Sequence, residues 1–173
     1  MIHLYGSKEL KDTYLADMVN GTKIGAFALT EAEAGSDAYN MSAKALDNED
    51  YYILDGNKIF ISNGTIADVF LVAARTKTDP VKKFTVFVVE KEFGGVSVSK
   101  DIKKLGLEAC PTAELILKGC RVPKKNILGH IDGGSNIVNL VLEWERCFEA
   151  APHVGAIQRI MESCIEYANS RIQ

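Results

Sequence analysis

Apolar positions Leu10, Tyr14, Leu15 and Met18 recur at helical spacing behind Ser7, whose hydroxyl can cap a helix, and Asn20-Gly21 supplies a left-handed stop. One helix therefore opens the chain. From Lys23 the pattern changes to short runs rich in β-branched and aromatic residues, broken by turn clusters about every ten residues. It predicts strands over 24–29, 40–46, 51–54, 58–61, 69–74, 84–90, 96–103 and 114–117. Asn48-Glu49-Asp50 and Asp55-Gly56-Asn57 read as two hairpin turns, and Thr78-Asp79-Pro80 as the start of a longer loop. Connections of this kind make an antiparallel sheet or barrel.

After Pro123 the period changes again. Gly133-Gly134-Ser135 precedes Ile137, Leu140, Val141, Trp144 and Phe148 at helical spacing, with Ser135 as the expected N-cap. Pro152 should kink or divide this helix, with Gly155 weakening it further, and Ile157, Ile160, Met161, Cys164, Ile165 and Ala168 carry it on toward the C-terminus. The fold class expected is α+β: an antiparallel β-barrel or sandwich with a short N-terminal helix and a long C-terminal helix. A helix with so broad an apolar stripe must bury it against something. Either the chain forms an oligomer through this helix or it is a piece of something larger.

The chain has 173 residues, 47% of them hydrophobic and 25% charged, which is a globular composition and excludes disorder for most of its length. Twenty Lys and Arg against 23 Asp and Glu leave a formal charge of -3. There is no cationic surplus to hold a nucleic acid backbone. The apolar runs fall far short of a membrane span of roughly 20 residues. Cys110, Cys120, Cys147 and Cys164 lack CxxC spacing, so neither zinc nor a dithiol motif is indicated and the thiols read as reduced. The N-terminal residues lack the pattern of a secretory signal, and a cytoplasmic or matrix-like compartment is expected.

Three blocks then occur in order. Gly25-Ala-Phe-Ala-Leu-Thr-Glu-Ala-Glu-Ala-Gly-Ser-Asp37 resembles the F-x-L-T-E-P-x-A-G-S-D segment of the acyl-CoA dehydrogenases, flavoenzymes that oxidise acyl-CoA thioesters to enoyl-CoA. Gly56-Asn-Lys-Ile-Phe-Ile-Ser-Asn-Gly64 is similar to that family's G-x-K-x-W-I-T-N-G, and Lys104-Leu-Gly with Cys110-Pro-Thr and Arg121-Val-Pro-Lys-Lys-Asn-Ile-Leu-Gly129 to its K-L-G-x-R-x-S-x-T and V-P-x-x-N-x-L-G. Several blocks in order are far more specific than one short motif. The resemblance implies that residues 1–22 end an N-terminal helical domain, 23–129 form the flavin- and acyl-CoA-binding middle β-domain, and 130–173 start a C-terminal helical domain. The chain then reads as a fragment or truncated relative.

By this resemblance FAD is the cofactor, held by Phe27, Leu29, Thr30, Gly35, Ser36, Phe60, Ile61 and Ser62, and by Arg171 reaching a neighbouring subunit. Short donors such as Thr30 and Ser62 suit a flavin that gains negative charge on reduction. A turn with a local serine bond is the plain alternative for 27–36, and simple core packing for Phe60. Glu145 is the implied base, since removing a proton beside a thioester carbonyl calls for a carboxylate with a raised pKa. The alternatives are a solvated helix face of Glu143, Glu145 and Glu149, or a base carried, as in other branches of the family, by the C-terminal bundle. Ser36, Lys82, Glu143 and Arg146 are the implied acyl-CoA contacts, Arg146 having a surface salt bridge as its plain alternative. Ala32 stands in place of the family's Pro, and Glu108 in place of Arg, where its charge repels acidic groups. His153 is an outside candidate for proton transfer.

The activity implied is FAD-dependent α,β-dehydrogenation of an acyl-CoA to a trans-2-enoyl-CoA, in a homo-oligomer, with an electron-transfer flavoprotein as acceptor. Two other classes stay open: a non-catalytic flavin or acyl-CoA binding module, and an inactive truncated remnant. A related flavoenzyme using the same scaffold for another CoA-thioester reduction or an oxygen-dependent reaction is a within-class alternative.

Overall fold

A computed structural model describes residues 1–78 and 81–173, so Asp79 and Pro80 of the expected loop lie outside the described residues. The chain separates into two compact units, Met1–Ile137 and Val138–Gln173. The first begins with α1 (Ile2–Tyr5), which the hydrophobic pattern did not disclose, and α2 (Lys8–Asn20). The expected signals bound α2. Ser7 Oγ accepts the Leu10 amide at 3.2 Å, and Gly21 takes φ +73° while its N–H returns to Asp17 and Met18 carbonyls. Leu10 and Tyr14 are the buried residues of α2, and the Tyr14 hydroxyl donates to Glu90 at 2.6 Å.

Eight strands follow: β1 (Gly25–Ala28), β2 (Lys44–Asn48), β3 (Tyr51–Ser62), β4 (Val69–Lys77), β5 (Lys83–Glu90), β6 (Val96–Val98), β7 (Thr112–Pro123) and β8 (Ile127–Leu128). They form one mixed sheet in the order β6-β7-β3-β2-β4-β5-β8, with β1 set beside β4. Most pairings are antiparallel, but β1 runs parallel to β4 and β2 meets β4 in parallel at Lys44 and Arg75. The sheet does not close into the expected barrel. Its end strands β6 and β8 span only three and two residues, too few to build a closing ladder.

β4 and β5 are apolar on both faces, and Val69 to Ala74 and Phe84 to Val89 are all buried. They form the centre of the core together with Leu54, Ile61, Leu115 and Val122 from β3 and β7. Phe87 is fully buried there, its ring 5.2 Å from that of Tyr52.

Several turn readings need correction. Asp55-Gly56-Asn57 is no hairpin: β3 runs on through it, and Gly56 has φ +149° with Ala43 so close that a Cβ would come within 2.6 Å of the Ala43 Cα. Glycine is there for a close backbone approach inside a strand. The adjoining ladder irregularity puts an extra residue on β7, where Gly119 takes φ +60° and donates its N–H to Asp55 at 2.7 Å. β2 starts later than 40, because Ala38–Asn40 forms a 3-10 turn. The strand expected over 96–103 ends at Val98, after which Ser99 and Ile102 keep only separate bonds to Glu114 and Thr112.

The C-terminal helix, α3, covers Gly134–Ser170 without division at Pro152. One lost N–H bond is tolerated in an exposed stretch where water can serve the freed carbonyl. Ser135 lies inside the first turn instead of capping it, because Gly134 is already helical. Within the second unit, residues from Glu143 onward are exposed, among them Trp144, Phe148, Ile157, Ile160 and Ile165.

Deleting the core ring should be costly. Phe87→Ala is expected to lower unfolding stability by about 3–5 kcal/mol in urea titrations. A loss under about 1 kcal/mol would contradict the placement of the core.

Candidate functional site

β4 has β5 along one edge, while β1 (at Val69 to Val72) and β2 (at Arg75) share the other. Residues 29–43 leave the sheet at the end of β1 and return at the start of β2. β3 completes the frame: its first half pairs with β2, and further along the Ile59 amide donates to the Thr30 carbonyl at 2.8 Å. The loop is thus anchored beside 58–62, so two of the motif blocks adjoin.

A bulge makes that anchoring possible. Between Lys58 and Ile61 β3 spends one residue more than β7 does between Leu115 and Ala113, which frees Ile59 to bond Thr30. Phe60 takes φ +59°, an uncommon conformation for an aromatic residue and of the kind that costs on the order of 1–3 kcal/mol. The extra residue also resets the side-chain alternation. Lys58 and Ile61, three apart, are both buried, while Phe60 is 62% exposed and Ser62 is exposed beside it. Phe60 is therefore not core, and its ring is open to a ligand.

Beneath the loop lies a buried ion pair. Lys58 is fully buried and its Nζ donates to Glu31 Oε1 at 2.8 Å and to the Leu29 carbonyl at 2.9 Å. Glu31 Oε2 accepts from the Ser42 amide and hydroxyl, both at 2.6 Å, and Oε1 accepts the Ala43 amide at 2.9 Å. Burial alone would raise the Glu31 carboxyl, but its bonds with Lys58 and Ser42 outweigh that and hold it below its ordinary value. Burial pulls the Lys58 ammonium down, with Glu31 pushing back. Glu31 and Ala34 also exchange backbone bonds, at 3.1 and 3.2 Å, which closes the turn.

The expected cofactor residues divide by exposure. Phe27 and Thr30 are half-buried, and Gly35, Ser36, Phe60 and Ser62 are accessible. Leu29 and Ile61 are buried, so the Leu29 carbonyl serves Lys58 and the Ile61 side chain serves the core. Lys82 is exposed and donates to the Asn40 side chain, at the far part of the same loop. The third block borders an open cleft of about 420 Å³ lined by Lys104, Glu108, Cys110 and Thr112 among others. Lys104 donates there to the Cys110 carbonyl and to Thr112 Oγ1.

In the second unit Glu143, Glu145, Arg146 and His153 are exposed on α3, and Arg171 follows its end, donating to the Tyr167 hydroxyl at 3.2 Å. Partial desolvation, then the Glu149 carboxylate one turn on, raises the Glu145 carboxyl above its ordinary value.

Sequence reasoning named no role for Glu31 and Lys58, although both stand in the quoted blocks. The available signal was Lys58 itself, a cation three positions before a core isoleucine in an apolar strand.

Because folding depresses the Glu31 carboxyl, its stabilising contribution is complete above the unfolded value of about 4.3 and is lost as pH falls through the lower folded value. The stability gap between wild type and Glu31→Gln should therefore be widest near neutral pH and shrink as the pH falls below the unfolded value of about 4.3. Urea unfolding across that range measures it, and a gap independent of pH would contradict an ionised Glu31.

Comparisons with known proteins bear on the family of the whole chain. The family described as acyl-CoA dehydrogenase, middle domain, matches residues 26–120. The chain is similar over 99% of its length to the very long-chain specific acyl-CoA dehydrogenase of Macaca fascicularis, at 40% identity and covering 28% of it. To a probable acyl-CoA dehydrogenase of Bacillus subtilis it is 42% identical, covering 29% of that protein. A solved structure described as an FAD-dependent dehydrogenase superposes with a TM-score of 0.95 at 41% identity, covering 99% of this chain and 46% of that one. The chain thus spans less than half the length of these relatives. With the middle-domain match covering more than half of its residues, including both anchored motif segments, the chain belongs to the acyl-CoA dehydrogenase family.

Proposed function

We propose that the protein is an FAD-dependent dehydrogenase that converts an acyl-CoA thioester to its trans-2-enoyl-CoA. The observation that carries this reading is the anchoring of Thr30 against β3 beside an exposed Phe60 and Ser62. A flavin presents flat ring faces and a polar edge. Phe60 and Phe27 offer aromatic surface to the first, Thr30 and Ser62 hydroxyls to the second, and Gly35 has open space above its backbone. The residues present fit such a group.

FAD, when bound, supplies the two-electron acceptor for hydride leaving the substrate β-carbon. The chain's own residues do the rest. Leu29 and Ile61 contribute through backbone and packing, Ser36 contacts both cofactor and acyl-CoA, and Arg171 contributes its guanidinium fork to the pyrophosphate of a neighbouring subunit's FAD. Lys82, Glu143 and Arg146 bind the CoA portion. Glu145 removes the α-proton, and its raised carboxyl suits that task.

In this reading residues 1–22, 23–129 and 130–173 belong to successive helical, β and helical domains of the family architecture. The exposed apolar side chains of α3 serve assembly into an oligomer, and an electron-transfer flavoprotein takes up the electrons in a cytoplasmic or matrix-like compartment.

Titration of the chain with FAD, followed by flavin fluorescence, should saturate, and anaerobic acyl-CoA should bleach the visible spectrum. Glu145→Gln should keep FAD affinity and lose bleaching, while Ser62→Ala should weaken FAD binding several-fold. Retained bleaching in Glu145→Gln would remove Glu145 from the base role. Saturable binding without any bleaching of wild type would replace the enzyme by a binding module, and no binding would reject the flavin reading.

A further inference from the structure

We propose that the buried Lys58–Glu31 pair is a positioning element for the flavin-binding residues, holding loop 29–43 in register with the bulge of β3. The proposal rests on the flavin reading above. Lys58 reaches the start of the loop through the Leu29 carbonyl and Glu31, and Glu31 reaches its end through Ser42 and Ala43. One pair therefore clamps both ends of a loop that carries Thr30, Gly35 and Ser36. The same lysine is the residue at which β3 enters its bulge, with the Ile59–Thr30 bond and the positive φ of Phe60 immediately after it.

Apolar packing would fill the same space, but it would not fix direction. Directional, charge-assisted bonds do, because each has a narrow preferred geometry. No buried side-chain polar atom among the described residues lacks a hydrogen-bond partner, so the network is complete as it stands. Removing the lysine leaves the Leu29 carbonyl without its Nζ donor and Glu31 without its countercharge. Lys58 and Glu31 then act on the cofactor through the residues they hold, since Lys58 has no exposed surface with which to touch it.

The test compares wild type, Lys58→Met, the charge-free double variant Glu31→Gln/Lys58→Met, and Val122→Ala, which weakens the core on β7 away from the loop. Amide hydrogen exchange and FAD titration are read on each full chain. In the two pair variants the amides of Ile59, Ser42 and Ala43 should exchange at least tenfold faster while those of β4 and β5 follow global stability, and the Kd for FAD should rise at least tenfold. Val122→Ala should show no local acceleration and less than a twofold change in Kd. The double variant keeps the question answerable if Lys58→Met fails to fold, because no charge is left buried and unpaired. Wild-type affinity and unaltered local exchange in the double variant would overturn the positioning role while leaving the flavin reading intact. Wild type that takes up no FAD would overturn both.

Discussion

A fully buried ammonium must be paired and hydrogen-bonded, and in this protein that requirement organises the ground around the candidate site. Lys58 meets it with one carboxylate and one backbone carbonyl, and the carboxylate in turn takes three further bonds from Ser42 and Ala43. Every partner is on the loop that departs from β1 and rejoins the sheet at β2. The polar interior is thus a fastening for a segment that has no ladder of its own.

Its consequence is seen on the outside. With Lys58 turned inward and the bulge inserted after it, Ile61 also turns inward and Phe60 and Ser62 turn out. An unbulged strand of alternating side chains would bury Lys58 and Phe60 together and expose Ile61. The left-handed backbone of Phe60 is the local cost of presenting an aromatic ring and a hydroxyl on one surface, next to Thr30. Sequence blocks 25–37 and 56–64 come to adjoin by this route, joined by the Ile59–Thr30 and Lys58–Glu31 bonds.

β4 and β5 are legible as apolar runs in which β-branched and aromatic residues mix with leucine and alanine, and α2 because its cap and glycine stop follow local rules. Gly56 was misread since a turn and a close approach use the same residue type, and only the position of Ala43 tells them apart. The division expected at Pro152 does not occur, as a single missing donor does not end a helix in solvent. The motifs pointed to Phe60 and Ser62, but not to the reason that they face outward. That reason is the bulge, whose extra residue can be counted only against the partner strand β7. The parallel joins of β1 and β2 to β4 were hidden for the same cause, being pairings between segments far apart in sequence.

The fastening of the loop depends most directly on the coupling between Lys58 and Glu31. A double-mutant cycle of Lys58→Met and Glu31→Gln, read by urea unfolding at neutral pH, measures it without any ligand. Each single change strands a buried charge, so each is expected to cost about 3–5 kcal/mol, and the double variant far less than their sum. Single-variant losses that add to within about 0.5 kcal/mol would mean that the two groups act independently, and would contradict the pair as the fastening of the site.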